Sequence, residues 1–188
     1  MTNYNKTIVM CTFPRSGSTF LYKNLLNYID TNKIIKHHST DVIKFLEDET
    51  IITVVRNPKE SISSIMTMKF NTVKDNKEYD FIYEKEFLYF YNLYIKHLNF
   101  YLNNSNKITV FKFEEVIEDV HKVIRSFLNI SNSTNSQNFI TILPESGSEP
   151  GFLNTSKNHE NYKNFNDFVN TKDLSFLYDL YNKLVFSI

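Results

Sequence analysis

Four short runs rich in β-branched residues recur along the chain, each followed by a polar turn and then by residues at helical spacing. They are 7–13 (TIVMCTF), 33–37 (KIIKH), 51–55 (IITVV) and 107–112 (KITVFK). This alternation confines the fold to an α/β class, because parallel neighbours need long crossovers between them. IITVV is a continuous β-branched run and reads as a strand buried on both faces. The expected architecture is a three-layer α/β/α domain with a mainly parallel central sheet. In such sheets ligands settle beyond the carboxyl ends of the strands. Attention therefore goes to PRSGST after the first run, HHST after the second, RNPKES after the third and the Phe113-Glu114 corner after the fourth.

Apolar spacing predicts helices over 19–29, 40–49, 57–68, 79–102, 114–128 and 171–186. The 40–49 helix takes Ser39 or Thr40 as N-cap and Val42, Ile43, Phe45 and Leu46 as its apolar face. Pro58 stands near the first position of the third helix, and Asn170 or Thr171 caps the last. Residues 71–78 read as a loop and 129–170 as irregular and polar. No linker or repeat divides the chain, and one domain is expected over 1–188, with a motif-bearing core at about 7–128 and a C-terminal loop and helix at 129–188.

Lys+Arg and Asp+Glu both number 21, so the net charge is zero. That argues against broad nucleic-acid binding, which needs a basic face, but leaves room for a local anion site. The single cysteine, Cys11, cannot close an intrachain disulfide, which points to a reducing compartment. No apolar stretch approaches a membrane span, and the apolar run at 8–13 is too short for a signal peptide. A cytoplasmic location is expected. No H-E-x-x-H, cysteine pair or carboxylate cluster calls for a metal.

Only 3 glycines are present, so the placing of Gly17 is informative. It lies in Pro14-Arg15-Ser16-Gly17-Ser18-Thr19, between a strand and a helix. Unpaired N–H groups at a helix start, with the positive end of its dipole, form an anion cradle. Gly17 allows a tight turn and close approach. Ser16, Ser18 and Thr19 add hydroxyl donors, and Arg15 adds a charged fork. The loop lacks the G-x-x-x-x-G-K-S/T of ATP-binding loops. The spacing from Cys11 to Arg15 is too short for a tyrosine-phosphatase loop. After the third strand, Arg56 sits at the carboxyl edge and Ser64 about two helical turns on, facing back. Together they offer a second phosphate site, a fork plus a hydroxyl.

Jointly the two segments resemble the PAPS-dependent sulfotransferases. TFPRSGSTFL is similar to that family's 5′-phosphosulfate loop. VVRNPKESISS is similar to its 3′-phosphate motif, with Ser64 eight residues after Arg56. The order of elements agrees over about 7–128. The resemblance implies a P-loop-like nucleotide-binding topology, with Arg15, Ser16, Gly17, Ser18, Thr19 and Phe20 at the 5′-phosphosulfate and Arg56 and Ser64 at the 3′-phosphate. It implies PAPS as donor and PAP as product. Lys36-His37-His38 is similar to the family's Lys-Thr/Ser-His. By that match His38 is the general base and Lys36 a cation near the sulfuryl group, with Arg15 a further cation there. Strand alternation puts Lys36 and His38 on one face and His37 on the other, and a slip of one residue would exchange the two histidines. His97, His121 and His159 read as surface or helix-face residues.

The chain departs from the family in its last third. Ser156 to Phe165 is a loose counterpart of the glycine-rich loop that closes over the 3′-phosphate, with Lys157 supplying the charge. Phe113 stands where many members have Tyr. The chain is also shorter than most cytosolic relatives, which implies trimmed acceptor loops and an open site. Ten aromatics crowd 79–102, more than one buried stripe requires. Packing is the favoured reading, with an acceptor wall or a homodimer surface as the other. The expected acceptor is a hydroxyl, less readily an amine, on a small molecule, glycan or lipid. Two rivals stand beside this reading: an ATP-dependent small-molecule kinase on the same loop, and a non-catalytic nucleotide-binding relative.

Overall fold

Strands β1 (Thr7–Cys11), β2 (Ile34–His37), β3 (Glu49–Val55) and β4 (Ile108–Lys112) form one sheet in the order β2-β1-β3-β4. The computed structural model describes residues 5–70, 77–130 and 162–187. Every pairing is parallel; Cys11 stands opposite His37, and Val55 opposite Lys112. The chain runs from β1 outward to β2, then returns past β1 to β3 and continues to β4. The order therefore reverses between β1 and β3, and the crevice at their carboxyl ends is where such folds bind ligands.

The two-residue period of the strands sorts the core into two layers. Ile8, Met10, Ile52 and Val54 face one way. They pack with Leu21 and Leu25 of α1 (Ser18–Leu25), Val116 of α4 (Phe113–Glu118) and Val120 and Ile124 of α5 (Val120–Phe127). Val9, Cys11, Ile51 and Val55 face the other way. Against them lie Ile62 and Met66 of α2 (Pro58–Lys69) and the buried stripe of α3 (Lys77–Asn103). Phe165 of α6 (Tyr162–Asn170) and Leu177 of α7 (Ser175–Phe186) close that layer. Among the described residues, no helix is long and apolar enough to cross a membrane.

Four local expectations are corrected. Residues 40–48 form turns and irregular chain, not a helix, Glu49 already opens β3, and Val42, Phe45 and Leu46 are exposed. The Ser39 hydroxyl accepts from the Asp41 N–H, the kind of local bond that competes with a helix. Contacts with α3 then pin the segment along its length: Asp41 pairs with Lys96 at 2.6 Å, and Phe45 stacks on Phe100 at 6.1 Å. The helix expected over 114–128 is two helices, because Asp119 leaves helical geometry and caps α5 by accepting from the Lys122 N–H at 2.8 Å. Residues 162–170, read as irregular, form α6, whose Phe165 packs on Phe70 and Tyr83. Finally, α7 starts after Leu174, while the Thr171 hydroxyl bonds back to the Phe168 carbonyl. The loop expected over 71–78 is largely outside the described residues, and α3 already begins at Lys77.

The aromatics of α3 resolve into one stripe. Tyr83, Phe87, Phe90, Tyr94 and Tyr101 are buried at helical spacing, while Phe81 and Tyr89 are exposed.

Candidate active site

Gly17 is the N-cap of α1 and adopts φ 95°, in the left-handed region. No side chain caps the helix, so its first N–H groups keep their outward orientation. A Cβ at Gly17 would overlap the ring edge of Phe113. Both facts predict the same outcome for Gly17→Ala. The left-handed backbone alone costs about 1–2 kcal/mol, and the Phe113 ring must move as well. A lower melting temperature is expected in a thermal melt; an unchanged protein would refute the close approach.

Arg15 also has positive φ, 66°, which aims its carbonyl at Arg56: Arg56 Nη1 donates to it at 3.3 Å. Arg15 Nε in turn donates to Ser64 Oγ at 3.1 Å. The two loops are thus directly joined across the crevice. Burial pushes the Arg15 pKa down, and the Arg56 charge adds to that effect. Two guanidinium groups held this close favour an anion between or beside them.

Arg56 is buried. Its Nε and Nη2 both donate to Glu60 Oε2, at 3.0 and 2.7 Å, and its guanidinium lies 4.4 Å from the Phe113 ring centroid. Phe113 therefore fills the space between Gly17 and Arg56, a position where the ring matters and a hydroxyl is not needed for packing. Glu60 was missed in the sequence. Its place four residues after Arg56, on the first turn of α2, was the available signal. Asn57 caps that helix, accepting from the Glu60 N–H, and Pro58 starts it.

Ser16 and Ser64 are fully buried and Ser18 nearly so. Ser16 Oγ has no hydrogen-bond partner among the described residues. A buried hydroxyl left unsatisfied inside an uncapped loop suits a ligand oxygen. Phe20 sits differently: its ring packs on the α1–α5 side of the sheet, and its N–H bonds to the Gly17 carbonyl at 3.1 Å. Lys157 lies outside the described residues.

At the end of β2, Lys36 Nζ donates to Thr19 Oγ1 at 2.7 Å, so this lysine reaches the loop after β1. His38 Nδ1 lies 3.0 Å from the Thr12 carbonyl. A carbonyl only accepts, so in the neutral ring Nδ1 carries the proton and Nε2 keeps its lone pair. The residue is exposed overall. Partial burial of the ring is nevertheless the main reason its pKa falls below the usual histidine value, with Lys36 and His37 adding to the fall against the Thr12 bond. A neutral ring with Nε2 open is the form a general base requires.

Two other histidines differ in setting. His97 was expected at a surface or helix face and is instead fully buried, because its helix face turns toward the sheet. His121 pairs with the Tyr28 hydroxyl at 2.9 Å, on the far side of the sheet from α3. His159 is outside the described residues. Cys11 is a buried free thiol, its pKa pushed up to about 12 by burial, and is chemically quiet. Among the described residues, no group of three or more His, Cys, Asp or Glu could hold a metal ion.

No curated protein matches the chain. A family model does: the Sulfotransferase domain, over residues 34–146. The match spans more than half of the chain and takes in Lys36, His38, Arg56 and Ser64. It begins after the loop that carries Gly17, so that loop, which folds onto Arg56 and Ser64, is a separate observation pointing the same way. On the matched span and the all-parallel sheet that carries it, the chain belongs to the sulfotransferase domain family.

Proposed function

We propose that the chain transfers a sulfuryl group from PAPS to a hydroxyl group of an organic acceptor and releases PAP. The observation that carries this reading is the junction of the two loops: Arg15 bonded to Ser64, and Arg56 bonded to the Arg15 carbonyl, at the reversal point of the sheet. Two anion grips joined this way fit a nucleotide with phosphates at both its 5′ and 3′ positions.

The donor supplies an activated sulfuryl group on its 5′-phosphate. The uncapped start of α1, the hydroxyls of Ser16, Ser18 and Thr19, and Arg15 hold the 5′ end. Arg56 and Ser64 hold the 3′-phosphate, with Lys157 as a further cation. Lys36, already on Thr19, is placed to offset charge on the oxygen that departs. His38 takes the acceptor proton at Nε2, its ring fixed by Nδ1–H on the Thr12 carbonyl. The acceptor belongs to the small-molecule, glycan or lipid class, and the chain acts as one domain.

A thermal-shift titration with PAP, 5′-AMP, ADP and ATP tests the reading, since a ligand that binds only the native state raises its melting temperature. The expected result is a shift with PAP well above that with 5′-AMP. A shift with ATP and none with PAP would favour the kinase reading, and no shift with any of the four would favour a non-catalytic domain.

A further inference from the structure

Helix α3 carries polar groups in the middle of its aromatic stripe. Tyr94, His97 and Tyr101 stand at i, i+3 and i+7, so they share a face, and all three are fully buried. The two tyrosines turn their polar tips to the main chain at the ends of two strands, and His97 lies between them on the helix. The Tyr94 hydroxyl donates to the carbonyl of Arg56, the residue after β3. The Tyr101 hydroxyl donates at 3.0 Å to the carbonyl of Cys11, the last residue of β1. His97 lies near enough to His38, the residue after β2, for the two charges to act on each other.

The three contacts are not equivalent to packing. Phenylalanine would fill these positions without the cost of burying a polar tip. Tyr94 already stacks on Phe13 with ring centroids 4.3 Å apart, and His97 meets Phe13 edge-on at 5.6 Å. The His97 Nδ1 faces the Leu93 carbonyl at 2.9 Å and must carry the proton in the neutral ring. Its Nε2 is buried with no hydrogen-bond partner among the described residues. One continuous helix thus bonds, through consecutive turns, to the ends of β1 and β3 and passes beside the segment after β2.

We infer that Tyr94, His97 and Tyr101 form a positioning row, in which α3 fixes the strand-end main chains and so sets Arg56 and His38 at their working separation. The inference rests on the sulfotransferase reading for its effect on turnover. None of the three is a catalytic residue; each acts through another.

Tyr94→Phe removes one oxygen and keeps the ring. Its release of Arg56 is expected to raise the Kd for PAP about five- to tenfold, the loss of roughly one hydrogen bond, with kcat at saturating donor unchanged. His97→Phe keeps a planar ring but enlarges it in a fully buried place, and so displaces the neighbouring His38 segment. There the expectation is the converse: kcat falls about tenfold through misplacement of the base while the Kd for PAP holds, and His97→Gln, which removes the excess bulk, recovers part of the loss. Equal changes in Kd and kcat in both variants, or a lower melting temperature alone, would overturn the row. If the unmodified protein neither binds PAP nor transfers sulfuryl groups, the functional reading has failed, and the row is then judged without activity. NMR titration of the His38 imidazole reads its surroundings directly; Lys36, His37 and His97 are the titratable groups facing it. A shifted His38 curve in His97→Phe, with an unshifted one in Tyr94→Phe, supports the row. Identical curves in all three proteins refute it.

Discussion

In the His38→Asn protein, kcat is expected to fall by about 10²–10⁴-fold, the range for loss of a positioned general base. PAP affinity should stay within about twofold, because none of the groups proposed to grip the nucleotide is touched. Asparagine is chosen because its amide can still donate to the Thr12 carbonyl, as Nδ1–H does now. The strand end then stays tied while the proton acceptor at Nε2 is lost. The pH dependence carries a second, independent expectation. A histidine base works only when neutral, and the His38 pKa lies below the usual 6.5 through partial burial of the ring and the nearby Lys36 and His37. In the free protein the acidic limb of kcat/KM therefore inflects below 6.5, and the rate is flat from neutrality upward until another group titrates. A limb above 6.5, or turnover retained in His38→Asn, would remove His38 from the role and leave it a structural tie between β2 and the loop after β1.

The framework of this fold was legible because it depends on short periods. Alternation in TIVMCTF and the continuous apolar run IITVV state which residues face which layer, and the structure has Ile8 and Met10 on one side and Val9 and Cys11 on the other. The loops were legible because a left-handed turn before an uncapped helix asks for glycine, and the chain spends one of its few there. What was not legible depended on partners distant in sequence. The 40–49 segment has helical spacing, but its fate is settled by Lys96 and Phe100, more than fifty residues on. Asp119 looked like one more polar residue on an amphipathic helix; only the arrival of α5 as a separate element shows it as a cap. His97 was unreadable for a related reason. A lone histidine in an aromatic stripe has no sequence mark that says whether its face is turned to solvent or to the ends of a sheet, and here it is turned to the sheet.

Arg56→Ala is the variant that asks whether the chain recognises a 3′-phosphate at all. The guanidinium is buried, doubly bonded to Glu60, bonded to the Arg15 carbonyl and stacked on Phe113. Loss of a charge-assisted contact to a phosphate is worth about 2–3 kcal/mol, so PAP affinity should fall roughly 10²-fold. The loss has two parts. One is the missing cation. The other is Glu60, whose carboxylate beside the proposed anion site is no longer offset by Arg56 and repels what Arg56 attracted. Pairing the change with Glu60→Gln removes the second part and is expected to restore a portion of the affinity. The control is 5′-AMP, which has no 3′-phosphate and should lose far less. If the two nucleotides weaken equally, Arg56 acts through the Arg15 carbonyl, by holding the loop in shape, and the 3′-phosphate is gripped elsewhere. If PAP alone weakens, the pair of grips joined across the crevice is a nucleotide ruler, set by the distance between one strand end and the next.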